Sequence, residues 1–496
     1  MLWASFLVIT MTDKLAKGCL SPSDSKKVNP ARSCIAYRKH SRGGPRKNAQ
    51  WRDWITDNVA IIRAIKATIL FKTTINIRLL LVCALATSVS LPIGFVSLSK
   101  VVLFLGTLIV LLGNFNPTVR SAGSTVIRQL TTILILGILA AFAASMFWTS
   151  GSQAEAFNSL SKYGKLLIIP IFCMLIKSRK EALYALASFS AAQLFLVISA
   201  WMLFLKMPVP WALSEFSLSH NVVFSSYLDE SLMSAVFAAI AWHLRMLVPG
   251  KYGHYFAVAA CLLALGNVFF LLQGRSAHVV AILLIALAIT WQMPRKYRFA
   301  VVVLPFFLMA ILYLSSTKVQ TRMDGLKTEV QTFSFKQGVD VKSNNSSGIR
   351  LHFWHRALQS ISEHPVFGSG AGSWSNEFNR LERIDNKAQT QIQPLGNPHQ
   401  EYLLWGVQLG VPGILLLLAL MISIFKDTLS MDKQAARATQ SALLGLAVAC
   451  LFNSSIYDAQ IGDYFCVALG LLLALGLYPP NSLLATGHPQ TGDTPS

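Results

Sequence analysis

The chain has 496 residues, of which 53% are hydrophobic and only 13% are charged, and its formal net charge is +21. Soluble domains carry about 25% charged residues. A soluble chain of this length would form roughly two or three domains, and this sequence has too few charged residues to cover their surfaces. The composition therefore excludes a soluble protein and indicates that lipid covers most of the surface.

The chain begins with a basic segment, residues 1–76. Residues 1–78 contain 15 Lys and Arg against 4 Asp and Glu, which places 11 of the 21 net positive charges there. Basic residues next to a first spanning helix are attracted to the anionic lipid of the inner leaflet. We therefore expect a disordered cytoplasmic tail that contacts membrane lipid, and we expect no nucleic-acid partner.

Twelve apolar runs follow the tail. About 20 residues of helix cross the hydrocarbon core of a bilayer, and a continuous apolar run satisfies its backbone hydrogen bonds in lipid only as a helix. The sequence therefore predicts an all-α polytopic membrane protein with about twelve transmembrane helices. The predicted spans are 77–96, 98–114, 127–148, 164–177, 181–204, 227–247, 254–272, 277–293, 297–315, 402–424, 440–457 and 462–478.

The short loops between these runs predict the orientation, because cytoplasmic loops are enriched in Lys and Arg. With the N-terminus inside, the inner loops hold thirteen Lys and Arg residues and the short outer loops hold five. We therefore expect helices 1–9 over 77–315, an outer loop domain over 316–401, helices 10–12 over 402–478, and a cytoplasmic tail over 479–496.

The outer loop contains two recognisable patterns. Residues 347–363 have the periodicity of an amphipathic helix, and Gly368, Gly370 and Gly372 follow in a tight turn. The turn lacks the Lys-Ser/Thr of a phosphate-binding loop. His352 and His355 have a spacing that suits a metal, but no third ligand lies nearby. We therefore predict no metal and, since no nucleotide or redox motif occurs, no cofactor.

Three polar residues on the outer side could carry chemistry. Arg275 follows the seventh predicted span, Arg350 lies in the loop helix, and His399 opens the tenth predicted helix after Asn397-Pro398. Each residue also has a non-functional interpretation. Arg275 could be an arginine that extends to the membrane interface, Arg350 a solvated charge in the loop, and His399 a histidine whose hydrogen bonds are made with backbone groups. The functional alternative is a phosphate site, because the planar guanidinium matches two oxygens, with histidine as a general base.

The order and placement of these residues resemble the O-antigen ligase and polymerase family. The resemblance covers roughly 77–478. It consists of Gly274-Arg275-Ser276, the pattern R-x(3)-W-x(2)-A-L-x(9)-G-x-G-x-G, and H-x(3)-L at the start of a span. The last two patterns place Arg350, Trp354, Ala357, Leu358, Gly368, Gly370, Gly372, His399 and Leu403. Gln400 follows the histidine where the family usually has Asn, another neutral amide.

The resemblance implies a GT-C-like glycosyltransferase of the bacterial inner membrane whose active site faces the periplasm. It would act as an O-antigen ligase, moving O-antigen polysaccharide from undecaprenyl diphosphate to the lipid A–core oligosaccharide. Arg275 and Arg350 would bind the diphosphate, and His399 would be the general base. Trp354, Gly368, Gly370, Gly372, Gln400 and Leu403 would be supporting residues.

Two alternatives remain open at this point. Within the family, the chain could be an O-antigen polymerase or a protein O-oligosaccharyltransferase. In another class, it could be a flippase or secondary transporter, although such proteins carry ionisable residues and broken helices at mid-span. Charges in the middle of the predicted spans are nearly absent, which favours the enzyme.

Overall fold

A computed structural model describes residues 77–112, 129–212, 214–298, 346–385 and 396–479, with Val303 and Phe307 as isolated residues. All of them belong to one compact unit, Thr74–Ser496. They form helices joined by turns, without a β-strand in the described ranges, which confirms the expected all-helical fold for that part of the chain. The predicted tail 1–76, most of the predicted span 297–315 and residues 480–496 lie outside the described residues.

Fifteen helices are described, numbered here in chain order. They are α1 Ile77–Ser88, α2 Ile93–Leu112, α3 Leu130–Ser145, α4 Gln153–Tyr163, α5 Ile168–Leu175, α6 Arg179–Phe204, α7 Glu215–His220, α8 Tyr227–Leu244, α9 Gly253–Gly266, α10 Arg275–Gln292, α11 Ser346–Glu363, α12 Trp374–Asp385, α13 Glu401–Thr428, α14 Lys433–Phe452 and α15 Ala459–Gly476. Short 3-10 turns extend α3 and α8, and a π-helical turn extends α9.

Seven of the described helical segments are long and apolar enough to cross a membrane. The predicted number of twelve is therefore not confirmed by the described helices. The seven segments are Leu130–Trp148, Arg179–Phe204, Gly253–Leu271, Arg275–Gln292, Glu401–Thr428, Lys433–Phe452 and Ala459–Gly476.

Prolines explain where predicted spans and observed helices differ. The predicted span 77–96 is interrupted after Ser88, and α2 begins directly after Pro92. The predicted span 164–177 is a 3-10 turn followed by α5, which has only eight residues and contains Pro170. Because proline lacks an N–H and its ring collides with the carbonyl four residues earlier, it starts a new helix instead of continuing the previous one.

Helix α15 forms the centre of the bundle. It is largely apolar after its first turns and almost completely buried, and it packs against α5, α6 and α14. A helix that is hydrophobic on every side is stable only when neighbouring helices surround it. The helices α8, α10 and α14 pack together beside it, so the core continues towards the residues that precede Arg275.

Helix α13 is broken inside its apolar stretch. Gly410 has non-helical backbone angles (φ 71°, ψ −163°), and Pro412 follows within the same helix. Proline has no N–H to donate to the carbonyl of Gln408, and the change of direction at Gly410 also frees the carbonyl of Val407. Unsatisfied carbonyls cost several kcal/mol in lipid, so other donors must reach both groups.

The glycine turn after α11 supplies these donors. The backbone N–H of Ser369 donates to the Val407 carbonyl over 2.8 Å, and that of Gly370 donates to the Gln408 carbonyl over 3.0 Å. The Gln408 side chain also accepts a hydrogen bond from the N–H of Gly372 over 3.1 Å. The turn is thus fixed to the broken helix by backbone groups.

The three glycines of this turn are required by close packing and by backbone conformation. Gly368, Gly370 and Gly372 all have positive φ, at 63°, 89° and 74°. A Cβ atom would lie 2.3 Å from the Thr149 Cα at Gly370 and 2.5 Å from the Glu155 carbonyl oxygen at Gly372. The prediction of a tight turn is confirmed, and these glycines face neighbouring protein backbone.

The helices α11 and α12 are held together by a buried ionic group. The carboxylate of Glu382 accepts hydrogen bonds from His352 Nε2 and Arg356 Nε, both over 2.6 Å. His352 and Arg356 are each only 1% exposed. Burial raises the pKa of Glu382, but the hydrogen bonds and charges of His352 and Arg356 outweigh it and lower the pKa to about 2.

Replacing Gly370 with alanine should destabilise the protein by about 2 kcal/mol or more, because it adds both a collision and left-handed backbone strain. We expect a large fall in the melting temperature of the purified protein. Gly137→Ala is the matched control, since nothing lies within 4 Å of the added Cβ there. Equal melting temperatures for the two variants would contradict the close packing at Gly370.

Replacing Glu382 with glutamine should lower the melting temperature at neutral pH. A carboxyl group whose folded pKa lies below its ordinary value of 4.5 stabilises the fold fully above that pH. The stabilisation is lost as the pH falls from 4.5 towards 2. The difference in melting temperature between wild type and Glu382→Gln should therefore be constant above about pH 5 and shrink below it. A difference that does not change with pH would refute the ionic contribution.

Candidate functional site

Arg275 and Arg350 come together from two separate helices. Arg275 is the first residue of α10 and follows Gly274, where α10 packs so closely on α8 that a Cβ would lie 2.0 Å from Ser231 Oγ. Arg350 lies in the second turn of α11 and is half-buried. Burial lowers the pKa of Arg350, and the charge of Arg275 lowers it further. The two guanidinium groups therefore repel each other across the site.

Neither guanidinium group has an ion pair or a hydrogen bond with any residue in the described part of the chain. Four other arginines that are buried or half-buried differ from them in having carboxylate partners: Arg78, Arg179, Arg356 and Arg380. Two neighbouring cations without counter-charges are stabilised by an anion with several oxygens, and arginine suits phosphate groups best.

His399 lies directly before α13. We predicted that it opens the helix, and this was wrong: α13 begins at Glu401, and Gln400 is its N-cap. The Gln400 side chain accepts a hydrogen bond from the N–H of Leu403 over 2.6 Å. His399 itself adopts a left-handed backbone conformation, with φ 55°, and its N–H donates to Asn397 Oδ1 over 2.9 Å. Such a conformation is uncommon for a residue other than glycine, and it turns His399 out of the helix.

The imidazole of His399 packs against the loop helix that carries Arg350. Its ring centroid lies 6.3 Å from that of Phe353, and the two planes are inclined by 18°. Phe353 follows Arg350 by three residues, so both lie on the same side of α11. The neighbouring Trp354 is half-buried against the hydrophobic core. The structure thus places His399 against α11, the helix that carries Arg350.

Asn453 and Asp458 determine which ring nitrogen of His399 carries the proton. The Asn453 amide donates from Nδ2 to Asp458 Oδ2 over 2.8 Å, which points its Oδ1 at His399 Nδ1, 3.1 Å away. Asn397 Nδ2 donates to the other oxygen of Asp458 over 3.0 Å. Since Oδ1 only accepts hydrogen bonds, the neutral imidazole is protonated at Nδ1 and keeps a lone pair at Nε2. This is the tautomer that a general base needs at Nε2.

Asp458 also responds to the charge of His399. Burial raises the pKa of Asp458, whereas a protonated His399 and Lys165 lower it. Lys165 Nζ donates to the carbonyl of Asp458 over 2.6 Å, and Lys162 lies over the ring of Tyr457 at 3.9 Å.

Glu401 fixes the segment that carries Asn453 and Asp458. Its buried carboxylate accepts hydrogen bonds from the N–H groups of Ile456 and Tyr457, over 2.8 and 3.1 Å, and from Trp405 Nε1 over 2.8 Å. The first turn of α13 is thereby joined to the connection between α14 and α15. The position of Asn453 relative to His399 depends on this junction.

Possible metal ligands occur elsewhere in the loop. His352, one of the two histidines considered from the sequence, is hydrogen-bonded to Glu382. Glu363, His364 and Glu377 have potential ligand atoms within 4.8 Å of one another. Arg380, however, donates to the carboxylates of both Glu363 and Glu377, so a cation already balances their charge. None of these side chains belongs to the group around His399.

Sequence reasoning did not single out Asn453, Asp458 or Glu401. A signal was present: the predicted connection between the last two spans, residues 458–461, lies on the same side as His399 and begins with Asp458. The polar residues Asn453-Ser454-Ser455 lie just before it, at the end of the predicted span 440–457. Asn453 is 54 positions from His399 along the chain, so only the packing of α13 against α14 reveals the contact.

Residues 259–418 match the family model described as O-antigen ligase. No curated protein matches the chain significantly. The matched region contains Arg275, Arg350, the three glycines and His399, whereas Asn453 and Asp458 lie beyond its end. The family implies glycosyl transfer of the O-antigen ligase or polymerase type, in lipopolysaccharide biosynthesis. Residues 259–418 of the chain are therefore similar to the O-antigen ligase family.

Proposed function

We propose that the protein is an O-antigen ligase of the bacterial inner membrane. It transfers O-antigen polysaccharide from undecaprenyl diphosphate to a hydroxyl of the lipid A–core oligosaccharide on the periplasmic face. The family supports glycosyl transfer. The excess of Lys and Arg in the loops opposite His399 supports an active site that faces the periplasm.

In this reaction the acceptor oxygen forms a bond to the anomeric carbon of the first donor sugar. The bond between that carbon and the phosphate oxygen breaks, and undecaprenyl diphosphate leaves with the electron pair. His399 Nε2 takes the proton of the acceptor hydroxyl. The donor is already activated by its diphosphate, so the transfer needs no nucleotide.

The pair of uncompensated arginines is the observation that best supports the proposal. Negative charge grows on the diphosphate as the bond to the sugar breaks, and fixed cations stabilise that charge most strongly in the transition state. Arg275 and Arg350 repel each other and have no carboxylate partner among the described residues. A diphosphate between them would relieve the repulsion.

The role of His399 is supported by its orientation. The chain from Asp458 through Asn453 leaves Nε2 as the acceptor and stabilises the imidazolium that forms after proton transfer. Asn453 and Asp458 act on the reaction through His399, so we propose them as positioning residues. The motif in the sequence supports Trp354, Gln400 and Leu403 as residues that support the site, and Gln400 caps α13 next to His399.

In a strain that lacks this chain, polymerised O-antigen should accumulate on its lipid carrier and the core should carry none. Arg275→Ala and Arg350→Ala should fail to restore surface O-antigen, although the proteins still insert. Arg350→Lys should restore little, because an ammonium group cannot contact two phosphate oxygens in the same plane. Lipopolysaccharide gels and extracted carrier lipid measure both pools.

Two outcomes of this experiment would contradict the proposal. Core capped with a single repeat unit would indicate a polymerase of the same family, because a ligase would still be present. Full restoration by either alanine variant would remove that arginine from the diphosphate site. Arg383→Ala is a matched control, since this exposed arginine lies on α12, away from the pair.

His399→Ala should reduce the turnover of bound donor by about 10²–10⁴-fold, the usual contribution of a general base. Donor affinity should change little, because the arginines hold the diphosphate. Asn453→Ala should also reduce turnover, and Asn453→Asp should shift the pH dependence upwards, since a carboxylate stabilises the protonated imidazole. Single-turnover kinetics of the purified enzyme would separate the two quantities. A loss of donor affinity with unchanged turnover would make His399 a binding residue.

A further inference from the structure

Three aromatic rings form a cluster next to the start of α8. The rings belong to Phe216 and His220 of α7 and to Tyr227, and we call them the aromatic cluster. The ring centroid of His220 lies 4.2 Å from that of Phe216 and 5.2 Å from that of Tyr227, and Phe216 and Tyr227 are 6.4 Å apart. The three planes lie within 36° of one another, so they share nearly one orientation.

The aromatic cluster is held in place by the backbone of α7. Ser214 caps this short helix by accepting a hydrogen bond from the N–H of Ser217 over 3.0 Å. Asn221 ends it in a left-handed conformation. His220 Nδ1 lies 3.1 Å from the carbonyl of Phe216, which limits rotation of the imidazole. The rings are therefore ordered before any ligand arrives, although the Phe216 side chain is 48% exposed.

The cluster lies beside the start of α10, where Arg275 is the first residue. The carbonyl of Tyr227 would lie 3.5 Å from a Cβ at Gly274, the residue that precedes Arg275. A group attached to a diphosphate that is bound at Arg275 would therefore lie next to Tyr227.

Sugar rings match such a surface. One face of a pyranose carries several C–H groups with partial positive charge, and the face of an aromatic ring carries partial negative charge. Stacking leaves the sugar hydroxyls at the edge of the ring, where they need hydrogen-bonding partners. Ser219, Ser225 and Ser226 lie in the same segment and offer hydroxyl groups.

We propose that the aromatic cluster is a saccharide subsite, which stacks the donor sugars nearest the diphosphate. The inference rests on the proposed function, because it places the diphosphate at Arg275 and Arg350. The cluster lies outside residues 259–418, the region that matches the family. It would therefore select among donor glycans, whereas the matched region performs the transfer common to the family.

The test measures binding to purified full-length protein in nanodiscs without acceptor. The two probes are undecaprenyl diphosphate that carries the glycan and bare undecaprenyl diphosphate. Phe216→Ala and Tyr227→Ala should weaken binding of the glycan-bearing lipid by roughly two- to tenfold and leave binding of the bare lipid unchanged. Tyr227→Phe and Phe216→Trp keep an aromatic ring and should retain the affinity.

Leu218→Ala is the matched control. Leu218 lies on the same helix and is 58% exposed, but it is not part of the aromatic cluster. If Leu218→Ala weakened glycan binding as much as Phe216→Ala, the segment would be a membrane anchor and the subsite would be refuted. Unchanged affinity for the glycan-bearing lipid in Phe216→Ala and Tyr227→Ala, or an equal loss for both lipids, would also refute it.

The failure of the proposed function would look different. If the proposed function is wrong, Arg275→Ala and Arg350→Ala will bind bare undecaprenyl diphosphate as tightly as the wild-type protein does. A cluster that served the acceptor would raise the KM for lipid A–core and leave donor binding intact, and this result would overturn the assignment to the donor.

Discussion

The break in α13 is the constraint on which the rest of the site depends. A helix within lipid cannot leave carbonyl groups without donors, and Gly410 and Pro412 interrupt the hydrogen bonds of this helix within its apolar length. The glycine turn between α11 and α12 satisfies the freed groups, and the N–H of Val411 donates in return to the Pro365 carbonyl. The loop helices are thereby fixed against the bundle by hydrogen bonds between backbone groups. Arg350, which α11 carries, is placed by the same contacts.

The other half of the site depends on the first turn of α13. Gln400 and Glu401 hold that turn in different ways, one as a helix cap and one by binding the N–H groups of the connection between α14 and α15. His399 lies between the two anchored segments, with Phe353 on one side and Asn453 on the other. A side chain that must keep one tautomer for proton transfer requires such support from several directions.

The sequence predicts the residues of the site better than the helices that carry them. The glycine turn, the amphipathic helix α11 and the two arginines follow from local patterns, because left-handed turns and helical periodicity are properties of neighbouring residues. The predicted spans are wrong at Pro92 and Pro170. An apolar run predicts a helix from hydrophobicity alone, whereas a proline removes a backbone hydrogen bond that the helix needs. His399 was expected to open α13 but lies two residues before it, because its left-handed backbone leaves no mark in composition. Asn453, Asp458 and Tyr227 were missed for another reason: their roles arise from contacts between segments that are distant along the chain.

The uncompensated charge of Arg275 and Arg350 has a consequence for the rate of the whole cycle. In the proposed reaction, the diphosphate of the donor has two negative charges while the sugar is attached, and it acquires further negative charge when the sugar has left. The same two cations therefore bind the spent carrier more tightly than the loaded one. An arrangement that accelerates bond breaking in this way slows the release of the product. Product release is the rate-limiting step of many enzymes. Removal of the spent carrier lipid from the membrane around the enzyme would then govern how fast the next glycan is transferred.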